Sequence, residues 1–89
     1  MTDFQKRVRE VVKTIPPGKV MTYGEVAKRA GSPGATRAVG SILARNFDPE
    51  VPCHRVIKAD GSVGNYNRGG VMKKEQLLKE EGYDTKRIR

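Results

Sequence analysis

Cysteine and histidine are almost missing from this chain, which holds one of each in 89 residues. One thiol excludes an internal disulfide framework, and one thiol with one imidazole falls short of a zinc site. A reduced, intracellular setting is therefore expected, with no metal and no cofactor. No apolar run approaches the roughly 20 residues needed to cross a bilayer, and Met1-Thr2-Asp3-Phe4 lacks the hydrophobic core of a secretion signal. Acidic residues are also few: ten Asp and Glu against eighteen Lys and Arg leave a net charge of +8. That excess suits a polyanionic partner, nucleic acid ahead of a membrane surface, with plain solubility as the alternative. Repeats, low-complexity tracts and interdomain linkers are lacking, so residues 1–89 read as one domain, which at this length buries only about 60% of its unfolded surface.

The rare residues fall side by side, in Pro52-Cys53-His54-Arg55-Val56. A thiol is a poor nucleophile until it loses its proton, at a reference pKa of about 8.5, and a neighbouring imidazole can take that proton. On an extended segment, residues i and i+1 point to opposite faces, so direct contact needs a turn or a bridging water. Pro52 favours an irregular start to the segment. Two readings fit the pair: an activated nucleophile, or a packed cysteine beside a structural histidine.

Hydrophobic spacing divides the rest into elements. Phe4, Val8, Val11, Val12 and Ile15 recur with helical period between charged residues, and Pro16-Pro17-Gly18 stops that helix. Thr22 and Glu25 form a capping box ahead of Val26, Ala27 and Ala30. Gly31 ends this second helix, and Ser32-Pro33 predicts the start of a third, running to about Arg45 and burying Ala35, Ala38, Val39, Ile42 and Leu43. Two short helices over about 22–45, joined by a tight glycine-containing turn, match a helix-turn-helix. Val56-Ile57-Lys58, the Asp60-Gly61 turn and Ser62-Val63-Gly64-Asn65-Tyr66 then predict a hairpin resembling a wing. Gly69-Gly70 precedes a last helix over about 71–81, defined by Val71, Met72, Leu77 and Leu78 and ended by Gly82, and a basic tail, Lys86-Arg87-Ile88-Arg89, follows. The expected fold is mainly α with a small β-hairpin, winged-helix-like.

Three of these motifs in one order are specific. Thr36-Arg37-Ala38-Val39-Gly40, then Pro52-Cys53-His54-Arg55-Val56, then Gly64-Asn65-Tyr66 closely resemble the C-terminal domain of the O6-alkylguanine-DNA alkyltransferases, from about Phe4 to Gly82. The resemblance implies direct repair of double-stranded DNA containing O6-alkylguanine. The alkyl group moves to a cysteine as a stable thioether, so each molecule acts once and needs no cofactor. It makes Cys53 the nucleophile, His54 the base acting through a bridging water, and Glu81 the carboxylate that orients the histidine, although Glu80 beside it leaves the register open by one. Tyr23 matches the proton donor to the leaving guanine, otherwise a packing aromatic.

By the same resemblance the lesion is flipped out, because an O6-alkyl group inside a stacked pair cannot be enclosed by a pocket. Arg37 matches the arginine that fills the gap, otherwise an ordinary phosphate contact. The helix carrying Thr36, Ala38, Gly40, Ser41 and Arg45 docks in the minor groove. Asn46 matches the asparagine joining the helix-turn-helix to the cysteine segment. Pro52 belongs with the substrate pocket, and Tyr66, Asn67, Arg68, Gly69 and Gly70 match the lid over the flipped base. Full-length relatives usually carry a further N-terminal domain. Short alkyltransferase-like relatives, which bind alkylated guanine without repairing it, normally have tryptophan where this chain has Cys53. The expectation is therefore a monomeric, self-inactivating repair protein, cytoplasmic with the nucleoid in a prokaryote or nuclear in a eukaryote. The alternative is a lesion sensor that recruits another repair system. A winged-helix regulator would explain the charge and leave Pro52 to Val56 without a role.

Overall fold

The computed structural model describes residues 2–64 and 66–83. Helix α1 spans Asp3–Lys13 and begins with a capping box: Thr2 Oγ1 accepts from the Gln5 N–H at 3.1 Å, and Gln5 Oε1 accepts from the Thr2 N–H at 2.8 Å. Val8 and Val12 form its buried side, and Ile15 joins them just past its end. Helix α2, Tyr23–Arg29, carries the expected cap, with Thr22 and Glu25 exchanging two bonds of 3.1 Å. Arg7 of α1 donates its Nε–H to Ala30 O at 2.7 Å, satisfying a carbonyl that the end of α2 leaves open.

Helix α3 spans Thr36–Ala44 and starts later than Ser32-Pro33 predicts. Ser32 O accepts from the Ala35 N–H at 2.9 Å, so Pro33 and Gly34 sit inside a β-turn, where the fixed φ of proline suits the second position. Val39 and Leu43 face the core, while Ala38, expected among the buried residues, is exposed.

The small β element is also assembled differently. Strand β2, Val56–Ile57, pairs in parallel with β1, Met21–Thr22, in the register Met21 to Val56 and Thr22 to Ile57. The Asp60-Gly61 turn closes as expected, with the Lys58 N–H donating to Ser62 O at 2.9 Å and Asp60 Oδ1 accepting from the Ser62 N–H at 2.8 Å. No strand returns from it among the described residues, and Asn65, inside the expected one, lies outside them. Burial explains the pairing. Both residues of β2 are buried, so the strand joins the chain entering α2 instead of standing out as a wing.

Helix α4, Gly70–Glu80, buries Lys74 and Leu78. Val71 and Met72, expected to mark an apolar face, are 42% and 84% exposed. A Schellman motif ends it: the Tyr83 N–H reaches Leu78 O and the Gly82 N–H reaches Lys79 O, each at 3.0 Å, with Gly82 at φ +89°. Glu81 is thereby held at the C-cap. The expected tail, Lys86 to Arg89, lies outside the described residues. Val8, Val12 and Ile15, Val26 and Ala27, Val39 and Leu43, and Val51 and Val56 meet in one core, and Cys53 lies at its edge.

Candidate active site

Pro52 bends the chain (φ −78°, ψ 66°), and Cys53–Arg55 form one 3₁₀ turn in which the Arg55 N–H donates to Pro52 O at 3.0 Å. The turn removes the opposite-face geometry that an extended strand would impose on Cys53 and His54. Cys53 is 6% exposed. Asn46, buried just beyond the end of α3, donates Nδ2–H to Cys53 Sγ in a long contact of 3.9 Å. It thus links the helix-turn-helix to the cysteine.

Glu81, not Glu80, faces the histidine. His54 Nε2 lies 3.0 Å from Glu81 Oε2, and Arg55 donates Nε–H to Glu81 Oε1 at 2.9 Å and Nη2–H to Oε2 at 2.5 Å. The Arg55 fork holds the Glu81 carboxyl below the usual carboxylate range, with His54 adding to the effect against the opposing cost of burial. An ionised carboxylate only accepts, so the proton in the short contact belongs to His54 Nε2. In the neutral ring Nδ1 is then the free acceptor. Arg55 also donates Nη1–H to Ile15 O at 2.7 Å, fastening the end of α1 to the end of α4. Gly18 permits that approach, since a Cβ there would meet Glu81 O at 3.1 Å.

Tyr23, at the start of α2, is near enough to the thiol for charge on Cys53 to act on it. Lys74 donates Nζ–H to its hydroxyl at 3.3 Å, and the ammonium lies 5.5 Å from the ring centroid. Burial raises the Tyr23 pKa above 10.0, and negative charge on Cys53 raises it further. The same two causes raise Tyr66, whose ring meets His54 edge-on at 6.4 Å. Burial lowers the Lys74 pKa to about 8, against the opposing pull of Cys53.

Cys53, Tyr66, Asn67, Leu43 and Ala44 line a recess of about 130 Å³. Asn67 straps the loop that forms it to the end of α3, donating Nδ2–H to the carbonyls of Ala44 and Asn46 at 2.7 and 2.8 Å. Arg68 adds a bond to Asp48 O at 2.8 Å. A second recess of about 460 Å³ shares Ala44 and opens between Tyr23, Thr36, Gly40 and Lys58. A larger recess of about 810 Å³ lies away from the thiol between the start of α1 and the end of α3, where Ala38, Ser41, Arg45 and exposed Phe47 line it.

Cys53, His54, Glu81, Tyr23, Asn46, Tyr66 and Asn67 are thus gathered around one thiol. Pro52 is half-buried behind it, and Gly69 and Gly70 stand at the exposed start of α4, outside the recess beside Cys53. Thr36, Arg37, Ala38, Ser41 and Arg45 are exposed on α3, with Gly40 half-buried among them. Sequence reasoning missed two members, Arg55 as the clamp on Glu81 and Lys74 as the partner of Tyr23. The second had a signal: residues 74, 78 and 81 repeat at i, i+4 and i+7, which puts the lysine on the same stripe as Leu78 and Glu81. Among the described residues no group of three His, Cys, Asp or Glu could hold a metal ion.

Residues 3–83 match the family described as 6-O-methylguanine DNA methyltransferase, DNA binding domain. The chain is 50% identical over 82 residues to the methylated-DNA–protein-cysteine methyltransferase of Methanothermobacter thermautotrophicus, covering 91% of this chain and 45% of that protein. To the protein of the same name from Methanosarcina acetivorans it is 52% identical over 84 residues, covering 91% and 52%. The chain therefore spans about half the length of these curated relatives. Among solved structures, Mycobacterium tuberculosis OGT in complex with DNA superposes with a TM-score of 0.86 at 45% identity, over 99% of this chain and 52% of that one. S. pombe Atl1, in complex with damaged DNA containing O6-carboxymethylguanine, superposes with a TM-score of 0.84 at 35% identity, over 94% and 80%. From the motif order, the helical frame and these matches, the chain belongs to the 6-O-methylguanine DNA methyltransferase DNA-binding domain family.

Proposed function

We propose that this chain repairs DNA directly, moving an alkyl group from O6 of a guanine in a duplex onto Cys53. The observation that carries the reading is the thiol at the wall of a recess, next to an imidazole whose Nε2 is held by Glu81 and, through it, by Arg55. Glu81 fixes the tautomer, so Nδ1 is the nitrogen that takes the thiol proton through a water. Sulfur attacks the alkyl carbon, the Sγ–C bond forms as the C–O6 bond breaks, and the electron pair leaves on the purine. Tyr23 donates the proton that neutralises it. The thioether has no route back to a thiol, so each molecule turns over once.

The exposed face of α3 serves as the DNA surface, with the small residues Ala38, Gly40 and Ser41 admitting the sugar-phosphate walls of the minor groove. Arg37 takes the place of the flipped nucleotide. Relatives solved with DNA, one of them with a damaged base, support this choice of partner.

The experiment is to mix the chain with duplex DNA carrying one O6-methylguanine, measure intact mass and map the modification by digestion. One methyl per protein, on Cys53, is the expected result, and Cys53→Ala should bind the lesion duplex with unchanged mass. A second reading, a sensor that binds the lesion without accepting its alkyl group, draws on the S. pombe Atl1 match, which covers 80% of that chain. Tight lesion binding by the unsubstituted chain with no mass gain would favour it.

A further inference from the structure

Lys58, just past β2, lines the recess of about 460 Å³ that opens between Tyr23, Thr36 and Gly40, and among the described residues of that lining it is the only one with a charge. Its place is fixed from the backbone outward. The Lys58 N–H donates to Ser62 O at 2.9 Å and its carbonyl accepts from the Gly61 N–H at 3.0 Å, so the Asp60-Gly61 turn holds both of its peptide groups. Gly64, at φ +77°, leaves room for the stem: a Cβ there would stand 3.5 Å from Lys58 Cγ, 3.6 Å from its Cε and 3.5 Å from the Tyr23 hydroxyl. The lysine stem and the phenol thus border one gap. Among the described residues no carboxylate comes within ion-pair distance of Lys58, and Asp60 has its Oδ1 turned to the Ser62 N–H and hydroxyl at 2.8 and 2.7 Å. The cation is open to an anion from outside.

This recess shares Ala44 with the recess at Cys53, and Thr36 and Gly40 of α3 form its other side. A base seated against the thiol leaves its own sugar and phosphate outside, so the strand that carries it passes through the neighbouring recess. A phosphodiester there meets the Lys58 ammonium, and the Thr36 hydroxyl in the same lining is a second donor. Protein walls on both sides make that attraction stronger than the pull of a cation on an open surface. Resting on the flipped-lesion reading above, we propose that Lys58 binds a phosphate of the extruded nucleotide itself. Its charge then acts in the lesion-engaged complex and has little to act on while the chain sits on undamaged duplex, which separates it from the cations of α3.

Fluorescence anisotropy tests this in the Cys53→Ala chain, which binds without accepting the alkyl group. Lys58→Met keeps a stem beside Gly64 and removes the charge. It should weaken binding to an O6-methylguanine duplex on the order of 10-fold and binding to the matched undamaged duplex by no more than about 2-fold. Equal losses on the two duplexes would make Lys58 a general phosphate contact and overturn the proposal. A charge-neutral methylphosphonate, placed in turn at the phosphate on each side of the lesion, locates the partner. At one of the two positions it should weaken the chain that retains Lys58 about as much as Lys58→Met does, and weaken the Lys58→Met chain no further, because that pair is already broken. Additive losses at both positions overturn the assignment. Binding does not depend on transfer, so the two readings fail separately. If the unsubstituted chain gains no mass from the lesion duplex while the coupling of Lys58 to one phosphate holds, alkyl transfer is overturned and the phosphate site stands. Transfer without that coupling overturns the site alone.

Discussion

Glu81 accepts two hydrogen bonds from Arg55 and one from His54, with its side chain 18% exposed. Its folded-state pKa lies below the ordinary 4.5, so the pairing stabilises the fold fully above that pH and fades as pH falls through the lower folded value. Glu81→Gln should therefore lower the unfolding free energy at neutral pH by about 1–2 kcal/mol. The gap between the two chains in urea melts should close as the medium is acidified, and a gap independent of pH would mean that the charge is not what matters. Transfer should also fall on the order of 10²-fold, because the amide leaves one oxygen for Arg55 and His54 to share, and an NH2 turned towards His54 favours the other tautomer. Glu80→Gln should change neither measurement. At this scale Cys53 and His54 were legible from their rarity and their neighbours. Choosing between two adjacent carboxylates required knowing where α4 stops, which the Gly82 cap decides.

Helix α3 is two-sided: Val39 and Leu43 hold it to the core, while Thr36, Arg37, Ala38 and Ser41 stay exposed. An arginine that replaces an extruded base acts only when there is a stack to fill. Arg37→Ala should thus slow transfer from a lesion duplex at least ~10-fold and leave alkylation of Cys53 by free O6-methylguanine base within about 2-fold, by analogy with the few kcal/mol that unstacking costs. Equal loss with both substrates would remove the gap-filling role. The helices themselves were legible because period and caps are local: the Thr22–Glu25 box closes as its spacing predicts. The start of α3 was not, since Ser-Pro serves a helix start and a β-turn equally well, and the Ser32 to Ala35 bond chose the turn. The hairpin failed for a related reason. Asp60-Gly61 makes its turn, but Val56 and Ile57 find a better-buried partner in Met21 and Thr22, more than 30 residues earlier in the chain.

The whole molecule carries a net charge of +8 on 89 residues. Binding to a lesion-free duplex should then weaken linearly in log Kd against log salt, with a slope of about 0.9 per phosphate contacted. Arg45→Ala should reduce that slope by about one if Arg45 meets a phosphate, measured by anisotropy at several salt concentrations. A flat salt response would argue against the exposed face of α3 as a phosphate surface.

Composition, helical periodicity, caps and the order of three short motifs were written in the chain, because each depends on residues within a turn or two of one another. The long-range bonds that fix those groups around the thiol were not. Arg55 clamps α1 to α4, Lys74 reaches from α4 to α2, and β2 crosses to β1, and these pairings join residues 26 to 51 positions apart. Such contacts are chosen by burial competing over the whole core, a competition no local window records.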